Sequence, residues 1–367
     1  MSNAKTGLGL IGTGNVGQMH LLGIAALRDA GLVNVEIAAL CDIDKESLER
    51  AAELYEVDKI YDNYDDLISD ENVDLVYVCT PTSQHIDMVT AAAKAHKDVF
   101  CEKPLAHSCP QARDLFAVAK SEDIKTGVGL VLRFDPFLLY AKKLIETRDF
   151  GRPMHAHIRD DQHFPVDYGF YTQWRGDKSI AGGGTLIEHS IHDLDILRWF
   201  FGETTSVYAK IGFFSEREVE DQASLVMTHK DGVVSTLISI WHQVDRQNER
   251  RIEFFFEKGV IVINLETGDR WLECHLQNEL PVRVEEEQAN LALLETLGFH
   301  SKNMAPEALN AITNVGTERF SALSYSFIRA VQGDKEPSPD FLDAIAAHKV
   351  VDAAYESANK NRVVDLL

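Results

Sequence analysis

Three glycines, Gly12, Gly14 and Gly17, stand in the spacing Gly-x-Gly-x-x-Gly, directly behind an apolar run at 7–11 and ahead of a helical pattern at 16–30. Few backbones need that spacing. The first glycine permits a tight turn, the second lets a bound group approach the backbone, and the third lets the helix pack close to the strand. Strand, turn and helix in this order open a βα unit. Short apolar runs at 35–41, 75–79, 98–101 and 126–130 have the length and character of buried parallel strands. Helical patterns at 45–55, 86–95 and 111–121 lie between them, with Ser83 and Ser108 as expected N-caps and Pro110 in a first turn. Repeated βα units imply a doubly wound parallel sheet, an α/β fold.

The texture changes after Phe150-Gly151-Arg152-Pro153. Strands are expected at 154–162, 206–214, 222–228, 233–242, 251–257 and 259–264, with hairpin turns at Lys230-Asp-Gly232 and Lys258-Gly259. This reads as a mainly antiparallel sheet in an α+β domain, interrupted by one helix over 185–201. Residues 284–315 show no assignable pattern; helices resume at 316–332 and 340–359. A chain of 367 residues is too long for one ordinary core. Two domains are therefore expected, 1–130 and 131–367.

Lys and Arg total 36 against 58 acidic residues, a formal charge of −22, which opposes nucleic-acid binding. No apolar run reaches the roughly 18 residues of a membrane span, and the start lacks the features of a secretory signal. The five cysteines, Cys41, Cys79, Cys101, Cys109 and Cys274, lack metal or redox spacing and read as small apolar filler. A reduced, cytoplasmic setting follows as the expectation.

The glycine turn and the N-terminus of its helix, at Asn15 and Val16, suit a dinucleotide pyrophosphate. The second strand runs into Asp42, 25 residues after Gly17. An acid there accepts hydrogen bonds from ribose hydroxyls and repels a 2′-phosphate, and Ile43 beside it offers such a phosphate nothing. NAD is thus favoured over NADP. Ligands of such sheets lie beyond the carboxyl ends of the strands, so Thr80 and Pro81 are expected to line the cofactor. His85 either approaches the nicotinamide or packs. Lys103, in Cys101-Glu102-Lys103-Pro104, stands at another strand end, where substrate and cofactor meet. The second constellation is Gly182-Gly-Gly184 followed by Glu188, His189, Ser190 and His192. On a regular helix Ile187, Ile191, Leu194 and Phe201 form an apolar stripe, and Glu188, His192, Asp195 and Trp199 share a neighbouring face. Residues four apart touch, so the Glu188 carboxylate can orient the His192 imidazole. Histidine suits the removal of a hydroxyl proton, and a lysine ammonium can hold the substrate oxygen. The acids and histidines of this segment point in several directions, so no metal is expected.

At these residues the chain resembles the Gfo/Idh/MocA oxidoreductases, the glucose–fructose oxidoreductase and inositol dehydrogenase family. The resemblance spans nearly the whole chain: the glycine fingerprint, Asp42, the Thr80-Pro81-Thr82-Ser83-Gln84-His85 strand end, Glu102-Lys103-Pro104, Arg133-Phe134-Asp135-Pro136, Trp174-Arg175 and the glycine–histidine segment. It implies a Rossmann domain plus a domain with a large open sheet, often the surface of homo-oligomerisation. It also implies that Lys103 and His192 are the catalytic pair, with Glu102 and Lys103 near the nicotinamide and Arg133 and Arg175 near the cleft. Family members commonly carry Asp four residues before the histidine; here Glu188 stands there, followed by His189 and Ser190, which puts the usual substrate pocket in doubt.

Other roles stay open. Trp174 either stacks on the cofactor or packs, and His189 either bonds toward the sheet or touches substrate. His155, His157, Arg159, Asp161 and His163 share one face of a strand, where Arg159, Asp161 and His163 either bind sugar hydroxyls or form a polar row facing solvent or a subunit. The expected activity is hydride transfer between NAD and a secondary alcohol of a sugar, cyclitol or related polyol. Alternatives are glycoside cleavage through transient oxidation at C3, and a non-catalytic sensor of the same fold.

Overall fold

The structure is a computed structural model describing residues 5–166, 172–266, 268–314, 316–333 and 335–366. The helices are α1 (Asn15–Asp29), α2 (Lys45–Tyr55), α3 (Tyr64–Ser69), α4 (His85–Lys94), α5 (Cys109–Ser121), α6 (Pro136–Thr147), α7 (Lys178–Ala181), α8 (Ile191–Phe201), α9 (Glu286–Thr296), α10 (Pro306–Thr313), α11 (Glu318–Val331) and α12 (Phe341–Lys360). The first sheet comprises β1 (Thr6–Ile11), β2 (Val35–Cys41), β3 (Ile60–Tyr61), β4 (Leu75–Val78), β5 (Asp98–Cys101) and β6 (Thr126–Val128). All neighbours in it are parallel and the order is β3-β2-β1-β4-β5-β6. That is the Rossmann order, which reverses between β1 and β4 and so opens a crevice beyond their carboxyl ends.

The second sheet holds β7 (Pro153–His163), β8 (Thr204–Gly212), β9 (Gln222–His229), β10 (Val234–His242), β11 (Glu249–Phe256), β12 (Gly259–Leu265), β13 (Trp271–Leu276), β14 (Val282–Val284) and β15 (Val364–Asp365). Its order is β14-β13-β12-β11-β7-β10-β9-β8-β15. Every pair is antiparallel except β7 with β10. Along β7, Ala156, Ile158 and Asp160 are buried while His155, His157 and Arg159 on the other face are only half-buried. The buried face carries α8, and the opposite face is open.

The chain divides into two compact units, one of 1–106, 110–134 and 297–344, the other of 107–109, 135–296 and 345–367. The two sheets fall on either side of residue 130, while α10 and α11 belong to the Rossmann unit. A side chain at Gly23 of α1 would stand 2.9 Å from Ser321 Oγ, so the bare glycine lets α11 pack directly on α1.

Three local expectations are corrected. The expected helix over 185–201 is broken: Thr185–His189 form one π-helical turn and α8 starts afresh at Ile191. Ser83 lies inside a 3-10 turn, Thr82–Gln84, whose capping residue is Pro81, so it caps no α-helix. The unassigned stretch 284–315 contains α9 and α10. Its burial there is spread over Ala289, Ala292, Leu293 and Leu294, among acidic neighbours, which blurs the one-sided pattern of a surface helix.

Candidate active site

In the Rossmann unit the glycines do what their spacing demands. Gly12 has φ +96°, and a side chain there would stand 2.7 Å from the Cys79 carbonyl at the end of β4. A side chain at Gly17 would lie 2.0 Å from the Gly12 oxygen. At Gly14 the same addition meets nothing within 4 Å, so the space beside it can take a phosphate. Gly14 caps α1 without a side chain, and the first turn holds no acid. The helix dipole and the first N–H groups, including those of Asn15 and Val16, thus suit an anion. Asp42 is fixed at the end of β2: Oδ2 accepts from the Thr13 N–H at 2.6 Å and Oγ1 at 3.0 Å, and Oδ1 from the Asp44 N–H at 2.9 Å. Ile43 beside it is exposed. The Cys41 thiol is pushed up to about 12, first by burial and then by the charges of Asp42, Asp62 and Asp66. Those charges disfavour a 2′-phosphate as they disfavour a thiolate. The cradle therefore fits NAD.

Thr80 and Pro81 are half-buried beyond β4. His85 is buried, its Nδ1 3.0 Å from the Pro104 carbonyl and its Nε2 2.9 Å from the Thr80 carbonyl. The Glu102 carboxylate turns inward, with Oε1 2.9 Å from His20 Nε2 and Oε2 accepting the Lys103 N–H at 3.0 Å. It anchors the turn that carries Lys103, which is half-buried. Arg133 is buried and donates to Asp343 Oδ1 at 2.9 Å. His20 and Asp343 escape sequence reasoning, because each pairs with a residue far along the chain.

In the second unit the three consecutive glycines are each required by close approach. A side chain at Gly182 would stand 2.7 Å from the His107 ring, at Gly183 2.4 Å from the Tyr355 hydroxyl, and at Gly184 1.9 Å from the Glu220 carbonyl. Buried Glu220 accepts the Gly184 N–H at 2.8 Å, the Leu186 N–H at 3.1 Å and the Tyr355 hydroxyl at 2.8 Å. Burial raises the Glu220 carboxyl and, with the neighbouring glutamate, raises Tyr355 well above its ordinary value. This clasp sets the start of the π-turn. Glu188 lies in this π-turn and His192 in the first turn of the helix that follows it. Glu188 Oε2 accepts from Arg175 Nε at 3.2 Å, and the Arg175 guanidinium lies 4.7 Å over the Trp174 ring.

His189 bonds toward the sheet, with Nε2 2.8 Å from Asp160 Oδ2 and 2.8 Å from Arg250 Nη2. Buried Arg250 also donates to Asp193 at 2.9 Å, Asp160 at 3.1 Å and Glu266 at 2.9 Å. Ser190 Oγ lies 3.3 Å from Asp160 Oδ2 and 2.7 Å from Ser239 Oγ and bridges the two. These bonds tie the π-turn and α8 to β7, β10 and β11, with His192 buried in the first turn of α8. Asp161 lies on the other face of β7, paired with Arg159, which also meets Glu249. His163 sits on the same row, its ring 6.1 Å from that of His242. Asp161, itself buried, and His163 thus share a face with Arg159, opposite Asp160, which meets His189 and Arg250. Among the described residues no group of histidines, cysteines and acids is arranged to hold a metal ion.

A Rossmann sheet with an NAD cradle, joined in one chain to a large mixed sheet bearing a buried histidine–carboxylate segment, defines a nicotinamide-dependent oxidoreductase. The comparisons agree. Residues 6–130 match the model of an oxidoreductase family with an NAD-binding Rossmann fold, and residues 138–262 match the Gfo/Idh/MocA C-terminal domain. The chain is 30% identical to the myo-inositol 2-dehydrogenase of Thermotoga maritima, over 72% of this chain and 79% of that one. It is 26% identical to the levoglucosan dehydrogenase of Pseudarthrobacter phenanthrenivorans, over 98% and 97%. A solved levoglucosan dehydrogenase in complex with NADH and levoglucosan shares the fold, with TM-score 0.85, 24% identity, and 99% and 100% of the chains covered. The protein belongs to the Gfo/Idh/MocA oxidoreductase family.

Proposed function

We propose that the protein is an NAD-dependent dehydrogenase or reductase acting on a secondary hydroxyl of a sugar, cyclitol or sugar derivative, with Lys103 and His192 as its acid–base pair. The observation that carries this reading is the place of Lys103. It follows β5 at the carboxyl edge of the parallel sheet, on a turn braced by a buried carboxylate. The names of the inositol and levoglucosan relatives support the substrate class.

Bound NAD supplies the hydride acceptor. The Lys103 ammonium holds the substrate oxygen and favours alkoxide character as the hydroxyl proton leaves. The His192 imidazole takes that proton. Glu188, anchored by Arg175, supplies the negative charge that favours a protonated imidazole after transfer. Arg175 and Arg133 are proposed substrate-side cations. Asp42 holds the ribose. Replacing Asp42 with alanine is expected to raise the KM for NAD about tenfold, the loss of one charge-assisted hydrogen bond or more, and to narrow the preference over NADP. Initial rates with each cofactor check this.

The deciding experiment is a panel of polyols, sugars and sugar acids assayed with NAD and NADP at the nicotinamide band. Reduction of NAD by a secondary alcohol is expected. Release of aglycone from a chromogenic glycoside at catalytic NAD, without net NADH, would instead establish cleavage through transient oxidation. No response from any polyol or ketone would overturn the proposal.

The open face of the second sheet carries half-buried Ile238, Ile240, Phe255, Val260 and Val262 beside the polar row of His155, His157, Arg159 and Asp161. An apolar sheet face with a charged row along it matches the make-up of a subunit interface. We therefore propose a homo-oligomer through this sheet in a reducing, cytoplasmic setting. Light scattering after size exclusion is expected to give a dimer or tetramer, and Ile240→Glu to lower the mass.

A further inference from the structure

Two buried histidines, His20 and His85, have no part in the chemistry above, yet both end on the Glu102-Lys103-Pro104 turn. His20 is fully shielded, with its ring edge-on to Tyr77, Phe100 and Phe320. A carboxylate only accepts, so His20 Nε2 donates to Glu102 Oε1 at 2.9 Å, and Nδ1 meets the Ser324 hydroxyl at 3.3 Å. The other Glu102 oxygen accepts the Lys103 N–H at 3.0 Å. The carboxylate is hemmed in from behind: a side chain at Gly129 would stand 2.4 Å from it.

His85 holds the far side of the same turn. Its Nδ1 is 3.0 Å from the Pro104 oxygen and its Nε2 2.9 Å from the Thr80 oxygen. Carbonyl oxygens have no proton to give, so a neutral ring donates to one of them and only a doubly protonated ring would donate to both. A neutral ring would leave one lone pair facing an oxygen in a site that is 1% exposed. Glu102 is thus held by its side chain, Lys103 by its amide and Pro104 by its carbonyl.

We propose that His20 and His85 are positioning residues that clamp the lysine turn, so that the Lys103 side chain departs from one fixed backbone position at the ends of β4 and β5. The inference rests on the acid–base reading of Lys103. A long flexible amine needs such a base, since a displacement of about 1 Å at a reacting group costs on the order of 10²-fold in rate.

The test combines His85→Ala and His20→Ala, singly, with Lys103→Ala in the full chain. Each histidine variant is expected to lower kcat about 10- to 100-fold and to add no further loss in the Lys103→Ala background. His20→Gln and His85→Gln, which each keep one donor, are expected to recover part of the rate and stand in where an alanine variant does not fold. Losses that multiply in the Lys103→Ala background, or wild-type kcat in the histidine variants, overturn the inference. Wild-type turnover in Lys103→Ala alone overturns the reading of Lys103 itself, and the positioning role with it. A readout in the cofactor-free protein stands beside these: histidine-labelled nitrogen NMR is expected to show both His85 ring nitrogens protonated, and one unprotonated nitrogen would refute the double donation.

Discussion

His192→Ala is expected to lower kcat by about 10²- to 10⁴-fold, the range a positioned general acid or base supplies, and Lys103→Ala to cost a comparable factor. In the proposed reaction the two side chains act on the same oxygen and its proton, so their effects should not multiply. The double variant is expected to be little slower than the worse single one. His192 belongs to the second compact unit and the glycine fingerprint to the first, so the Kd for NAD should hardly change in His192→Ala. Steady-state rates at the nicotinamide band, with fluorescence titration of cofactor binding, separate these effects. Wild-type turnover in either single variant would end the assignment of the pair. Full additivity would mean that they serve different steps.

The largest expected stability effect is at Arg250. Its guanidinium is 2% exposed and meets Asp193, Asp160 and Glu266, the first two of them fully buried. Removing the cation strands two buried carboxylates, and a broken buried pair costs roughly 3–5 kcal/mol. Arg250→Met, which keeps much of the volume, is therefore expected to bring a large fall in the urea midpoint. It should also loosen the attachment of α8 and reduce turnover.

The two buried aspartates of this cluster shift in opposite directions. Asp160 is lowered overall, the Arg250 and His189 charges outweighing its burial. Asp193 is pushed up to about 7, chiefly by burial, with Arg250 pulling it down only in part and Asp160 pushing it further up. The folded protein thus holds the Asp193 proton more tightly than the unfolded chain does. The stability this group contributes is complete below about pH 4, the ordinary range of an aspartic acid, and declines as the pH rises toward 7. Asp193→Asn is expected to flatten that slope, and an unchanged pH dependence of the urea midpoint would show that Asp193 is ionised throughout.

The strands and helices of the Rossmann half were legible because each rests on short-range rules. Lys45–Tyr55 and Asp98–Cys101 stand where periodicity and turn residues place them, and β2 ends at Cys41, immediately before Asp42. The two-residue β3 and the six-residue α3 were too short to carry a period. The helical wheel failed at 185–201 because the Glu220–Tyr355 clasp and the Asp160–Arg250 cluster impose a π-turn on residues that would otherwise continue an α-helix. His189 turned to the sheet for the same reason.

The sequence by itself determined the class of fold and the cofactor cradle, and it singled out the residues proposed to react. Glycines at a tight strand–helix turn and an acid at the next strand end stand within a few dozen residues of one another. Only the tertiary structure decided how those residues are held. Glu102 is anchored by His20 and the lysine turn by His85; Glu188 is held by Arg175, and α8 by a guanidinium from β11. Partners of this kind are selected by desolvation: a buried charge or ring nitrogen must find a complement wherever the chain brings one. Local spacing along the sequence carries no record of that search.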